Sequence, residues 1–176
     1  MESRYAGLFL FLVAFESLGF ISCYDFTSGL YPGTKWCGNG DSASNDDDLG
    51  SLDKLDACCR DHDNCPMNLK PGKSGYGLTN LWFHTRSSRS CDCDDTFYHF
   101  MKDVSGGQKD DAIAVGVAYF QTLHPACIES YHPLECKKKF LGICIKYETN
   151  KSKTSYRWAT GRLWYTLTDI WNWITG

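Results

Sequence analysis

Three stretches of the chain place apolar residues at helical spacing. Over residues 51 to about 64, Leu52, Leu55 and Cys59 fall on one stripe; Ser51 stands where a capping residue belongs, and Pro66 turns the chain away. Over residues 92 to about 104, Cys93, Phe97, Phe100 and Met101 recur before Gly106 and Gly107, and residues 111–123 form an apolar run that stops before Pro125. Three helices are therefore expected. Gly72, Gly75 and Gly77 mark loops between them, and Gly142 sits in a short turn between Cys136 and Cys144 that reads as a disulfide-closed hairpin.

The two ends carry different patterns. After Arg4, residues 6–15 are an apolar run of signal-peptide length, too short for the roughly 20 residues a bilayer span needs. Residues 1–19 are expected to be a signal peptide cut after Gly19, with cleavage near Ser22 or Cys23, or a buried N-terminal helix, as alternatives. At the other end, residues 159–176 combine Trp164, Tyr165, Trp171 and Trp173 with Leu163, Leu167, Ile170 and Ile174 at helical spacing. Such an aromatic, amphipathic tail either docks at a lipid interface or packs on the protein's own surface or a partner, unless it is removed.

With 176 residues there is room for one domain, expected over residues 20–158. Ten cysteines would be a liability in a reducing cytosol unless they held metal, so the composition points to secretion and an extracellular location. Asn150-Lys151-Ser152 is then a glycosylation sequon, which makes a glycoprotein. The 18 basic side chains are outnumbered by 21 acidic ones, which speaks against nucleic acid as a partner. Charge is nevertheless uneven: residues 1–134 carry net −8 and residues 135–176 net +5, including Lys137, Lys138 and Lys139. That basic run reads as a solvated face, or as a contact with an anionic surface. Asp46, Asp47 and Asp48 lack the spacing of a calcium loop and read as a solvated turn.

Two segments carry candidate chemistry. In Trp36-Cys37-Gly38-Asn39-Gly40, glycines let the backbone turn carbonyl oxygens inward, as a hard cation such as calcium requires. In Cys58-Cys59-Arg60-Asp61-His62-Asp63-Asn64-Cys65, a bond from Cys59 to Cys37 would bring that loop one helical turn from Asp63, whose carboxylate could complete the site. His62 lies about 100° round the helix from Asp63, so a base and a metal ligand stand side by side. Were Cys65 paired with Cys93 between antiparallel helices, His62 would face Thr96 and Asp94 would face Asn64, leaving Asp94 within half a turn of His62. A carboxylate there would hold one ring nitrogen and leave the other free as general base. Cys58, Cys59, His62 and Cys65 also have metal-like spacing, but disulfides are the stronger reading in a secreted chain.

These segments resemble the bee-venom-like, group III secreted phospholipases A2. Tyr31-Pro32-Gly33-Thr34-Lys35-Trp36-Cys37-Gly38-Asn39-Gly40 resembles the family's calcium loop, and residues 56–66 its catalytic helix. Gly77-Leu78-Thr79-Asn80, His84-Thr85-Arg86, Ser90-Cys91-Asp92-Cys93-Asp94-Asp95, Tyr119-Phe120, the Cys136 to Cys144 hairpin and Tyr156-Arg157-Trp158 follow in order. The resemblance implies a mainly α, disulfide-rich small secreted domain. Two antiparallel catalytic helices, a calcium-binding loop, a third helix and a small β-hairpin would make it up.

The implied activity is Ca2+-dependent hydrolysis of the sn-2 ester of glycerophospholipids, with a phospholipid membrane surface as substrate. His62 would be general base on water, Asp94 its support and Tyr119 a brace for Asp94; Trp36, Gly38, Gly40 and Asp63 would hold calcium, with the Gly38 amide at the oxyanion. The alternative is a catalytically weak or inactive phospholipase-like toxin or receptor-binding protein, although His62, Asp63 and the loop glycines are all present; any receptor or second subunit stays unidentified. The implied disulfides are Cys37–Cys59, Cys65–Cys93, Cys91–Cys127 and Cys136–Cys144. Cys58 departs from the pattern, because Phe100 stands where the family has its partner. Cys23 as a substitute partner, a buried free thiol and an intermolecular bond all remain open for Cys58.

Overall fold

The computed structural model describes residues 29–81 and 88–175. The expected signal segment, Cys23 and the His84-Thr85-Arg86 motif lie outside the described residues. Three helical segments appear where the apolar spacing places them: α1 (Asp53–Asp63), α2 (Cys91–Asp103) and α3 (Lys109–Gly116), the last after a 3-10 turn at Gly106–Gln108. The third does not stay α-helical along its whole expected length. Beyond Gly116 it widens into a π-helical segment, Val117–Leu123, which ends at His124 in the left-handed region.

The expectation of a mainly α domain is too narrow. Eight short strands among the described residues form four separate antiparallel pairs. Strands β1 (Asn68–Leu69) and β4 (Ser88–Arg89) pair, as do β2 (Ser74–Gly75) and β3 (Leu78–Thr79). The longer β5 (Cys127–Tyr131) pairs with β8 (Ser155–Ala159) around the hairpin of β6 (Leu134–Phe140) and β7 (Ile143–Thr149). A last helix, α4, covers Leu167–Thr175.

Helix α1 begins two residues later than expected, and Ser51 does not cap it. Leu52 occupies the cap position with no side-chain bond, and the amides of Lys54 and Leu55 donate instead to the Gln108 side-chain oxygen, each at 3.1 Å. A residue 53 positions away thus satisfies first-turn donors that helix geometry leaves open. On α2 the cap is local: Ser90 Oγ accepts from the Cys93 amide at 3.1 Å.

Leu55, Cys58 and Cys59 of α1 join Phe97 and Met101 of α2, Ala112 of α3 and Phe120 in the core. Trp164, 1% exposed, stacks on Phe120 with ring centroids 6.0 Å apart. A Cβ on Gly116 would stand 2.3 Å from the Trp164 ring, so only glycine lets the indole in. The first part of the aromatic tail therefore packs into the body, while α4 leaves Leu167, Trp171 and Ile174 exposed.

Four disulfides fasten these parts: Cys37–Cys59 ties the N-terminal loop to α1, Cys65–Cys93 joins the end of α1 to α2, Cys91–Cys127 joins α2 to β5, and Cys136–Cys144 closes the hairpin. Separations of 22, 28 and 36 residues in the first three are long enough for each to stabilise by about 3–4 kcal/mol in the chain-entropy picture. They surround α1 and α2, which is where position matters most.

Candidate active site

Helix α1 presents two neighbouring stripes. Leu55, Cys58 and His62 are buried on one; Asp56, Cys59 and Asp63 lie on the other, at spacings that keep each set on one face. The second stripe meets the glycine loop. Cys59 is bonded to Cys37, and Asp56, with 0% exposure, accepts 2.8 Å hydrogen bonds from the backbone amides of Lys35, Trp36 and Gly50. A buried carboxylate normally carries a heavy desolvation cost, and three amide donors offset it here. Asp56 is a residue to which the motif reading gave no role; its signal is an acid seven residues before Asp63, on the same face.

The loop leaves an alternating set of oxygens. The Cys37 carbonyl accepts from the Tyr31 amide and the Lys35 carbonyl from Ser42, whereas the Trp36, Gly38 and Gly40 carbonyls accept no hydrogen bond from the described residues. Gly38 lies against the chain at Gly29 and Leu30, where an added Cβ would meet the Gly29 oxygen at 2.1 Å. Gly40 has φ +93, which a side chain would strain. The Asp63 carboxyl, partly buried, is pushed up to about 6 by burial, against the pull of the Arg89 guanidinium. An anion drawn out of water in this way gains from a cation, and Arg89 from β4 supplies one by pairing with Asp63. Arg89 is the second residue the motifs did not flag. Its Nε is buried without a hydrogen-bond partner among the described residues.

The first stripe meets α2. His62, 5% exposed, donates from Nε2 to Asp94 Oδ1 at 2.7 Å, leaving Nδ1 as the acceptor nitrogen. The Tyr119 hydroxyl donates to the same carboxylate oxygen at 3.1 Å. Phe97 stacks flat on the imidazole at 4.1 Å between centroids, and Tyr119 meets it edge-on at 5.0 Å. Burial lowers the His62 pKa, partly opposed by the hydrogen bond to Asp94, so the neutral imidazole is favoured. Burial also raises the Tyr119 pKa, which keeps its hydroxyl a donor. Phe97 is a third contributor that the motifs missed, since its spacing marks it only as core.

The expected residues are thus brought together: His62, Asp94 and Tyr119 as one hydrogen-bonded group, and Asp63 one position along α1 beside the loop fastened by Cys59. The arrangement combines a base of fixed tautomer with a carboxylate and free carbonyls suited to a hard cation. The metal-like grouping of Cys58, Cys59, His62 and Cys65 does not form: Cys59 and Cys65 are in disulfides, and no cluster of three or more His, Cys, Asp or Glu side chains suited to a metal occurs among the described residues. Cys58 is buried and has no disulfide partner among the described residues; its Sγ donates to the Lys54 carbonyl at 3.3 Å.

Comparison with known proteins gives a consistent answer. A family model described as Phospholipase A2 matches residues 30–131. The chain is 44% identical over 131 residues to a phospholipase A2 of Apis cerana cerana, covering 73% of this chain and 95% of the relative. It is 42% identical over 134 residues to a phospholipase A2 of Apis mellifera, covering 73% and 76%. A group 3 secretory phospholipase A2 of Homo sapiens is 45% identical over 96 residues, which is 54% of this chain and 18% of that protein.

Proposed function

The chain belongs to the group III, bee-venom-like branch of the phospholipase A2 family, and from that premise we propose that it is a secreted, calcium-dependent enzyme hydrolysing the sn-2 ester of glycerophospholipids. The products are a free fatty acid and a lysophospholipid. The observation that carries this reading is the buried His62–Asp94 pair beside Asp63 and the unused loop carbonyls.

His62 Nδ1 takes a proton from the attacking water, and the Nε2–H bond to Asp94 holds the ring and stabilises the imidazolium that forms. Tyr119, through its bond to the same oxygen, fixes Asp94. The Trp36, Gly38 and Gly40 carbonyls and the Asp63 carboxylate would hold calcium, which when bound stabilises negative charge on the ester oxygen. The Gly38 amide contributes a hydrogen bond to that oxygen. His62 then returns its proton to the leaving glycerol oxygen, so no covalent enzyme intermediate is needed. Asn150 fits the role of glycan acceptor; its side-chain oxygen accepts from the Ser152 amide and hydroxyl in the turn after β7.

Two variants separate base from ligand. His62→Gln is expected to lower turnover by roughly a thousandfold while leaving calcium affinity, measured by titration calorimetry, close to wild type. Asp63→Asn is expected to weaken calcium binding and turnover together. Comparable turnover in His62→Gln, or unchanged calcium affinity in Asp63→Asn, contradicts the assignment.

A further inference from the structure

The β6–β7 hairpin departs from the rest of the molecule. It packs chiefly on itself, without an extensive interface to any other described element. Two-stranded hairpins are marginal alone, and Cys136–Cys144 supplies the missing constraint. Its apolar residues are turned outward at the far end: Phe140 is 64% exposed, Leu141 85% and Ile143 70%.

The turn itself is chemically odd. Leu141 has φ 47 and Gly142 φ 82, so both central residues are left-handed, a conformation that normally selects Asn-Gly or Asp-Gly. Leucine there is strained and finds almost no packing in return. A Phe140–Ile143 cross-strand contact could steady the turn, but it gives no reason for Leu141. Exposed apolar groups concentrated at a tip mark an interaction site.

Charge identifies the partner. Between Lys137 and Lys146 the sequence holds four lysines and no acid, and all four lysines are exposed. Lys137 and Lys146 make only surface pairs with Glu135 and Glu148, which solvent screens. An apolar tip above a collar of cations matches a membrane whose hydrocarbon lies beneath anionic phosphates. The exposed face of α4 is the rival candidate, but that helix has Asp169 and no basic residue.

We propose that the β6–β7 hairpin docks the protein on anionic phospholipid bilayers, with Phe140, Leu141 and Ile143 entering the interface and Lys137, Lys138, Lys139 and Lys146 meeting lipid phosphates. This rests on the reading of a lipid surface as substrate and names the element that reaches it.

The test uses sedimentation with vesicles of ether-linked phosphatidylcholine and phosphatidylglycerol, which contain no ester to hydrolyse, and chelator throughout. Leu141→Asp changes a side chain with almost no packing, so it should not disturb folding; a fully dispersed short-chain phosphatidylcholine, assayed with calcium, reports the catalytic site independently. Binding is expected to fall at least about tenfold in Leu141→Asp and in Lys138→Glu/Lys139→Glu, with hydrolysis of the dispersed lipid unchanged. Wild-type vesicle binding by both variants overturns the proposal, as does binding that is lost on ending the chain at Thr166 but kept in the hairpin variants. Failure of the wild-type protein to hydrolyse the dispersed lipid would contradict the catalytic reading alone, since vesicle binding is scored without turnover.

Discussion

The helical half of the molecule and the β6–β7 hairpin solve opposite problems. On α1 and α2 the buried acids and the histidine are taken out of water with partners: Asp56 has three amides, His62 has Asp94, and Asp94 has Tyr119 as well. In the hairpin apolar groups are left in water without partners. Buried polar groups with matched partners hold a geometry in place; unmatched apolar groups advertise a surface. The first half therefore reads as chemistry and the second as contact, and each can be damaged without the other.

The largest separation is expected from Asp56→Ala. Three backbone donors lose their acceptor, which should cost about 3 kcal/mol or more of stability and loosen the glycine loop. Thermal unfolding should shift down and calcium affinity should fall, while binding of the folded protein to ether-lipid vesicles persists. Loss of vesicle binding at temperatures where the variant stays folded would join the two regions.

Arg89→Leu is expected to act in the other direction. Arg89 pairs with the carboxylate that the proposed reading assigns to calcium, and removing it should tighten calcium binding at pH 8 by roughly three- to tenfold, read by titration calorimetry. Weaker binding would mean that Arg89 supports the loop rather than competing with the ion.

Tyr119→Phe removes one hydrogen bond, to an oxygen that Asp94 already shares with His62, so turnover should fall less than about tenfold. The pH profile sharpens the same region. In the proposed mechanism catalysis needs neutral His62; burial lowers its pKa below the ordinary 6.5, so turnover at saturating calcium should hold as pH falls through that value and decline only below it. Burial pushes the Asp63 carboxyl up to about 6 in the calcium-free protein, so calcium affinity should weaken as pH falls through that value. A turnover limit above 6.5 would show that the imidazole is not held as described.

The smallest effect concerns Cys58. Burial, aided by the Asp61 carboxylate, pushes its thiol up to about 12, so a free Cys58 should resist alkylation in the native protein and react only on unfolding. Peptide mapping without reduction distinguishes this from a bond to Cys23, which would leave no alkylatable thiol at all. Catalysis should be untouched in either case, because Cys65–Cys93 still crosslinks the two helices.

The parts of the site legible in the sequence were those fixed by local spacing: the 62/63 pair on one helix, the glycine loop, and the level of Asp94 across antiparallel helices. What spacing does not encode is who satisfies whom at long range. Gln108 rather than Ser51 meets the first turn of α1, Asp56 anchors the loop, Arg89 pairs with Asp63, and Phe97 serves both as core and as the imidazole's stacking surface. The tail shows the same limit, since its aromatic pattern did not separate buried Trp164 from the exposed Leu167 and Trp171. Strand content was underestimated for a related reason: β1 to β4 are two residues each, too short to carry a pattern, and β5 finds its partner β8 only on the far side of the β6–β7 hairpin.

The central claim is tested most directly by the products formed from phosphatidylcholine vesicles with different acyl chains at sn-1 and sn-2, incubated with the oxidised, purified protein in calcium and then in chelator. The account predicts release of the sn-2 chain only, abolished by chelation. Release from sn-1, release that persists in chelator, or no release by folded protein would contradict it.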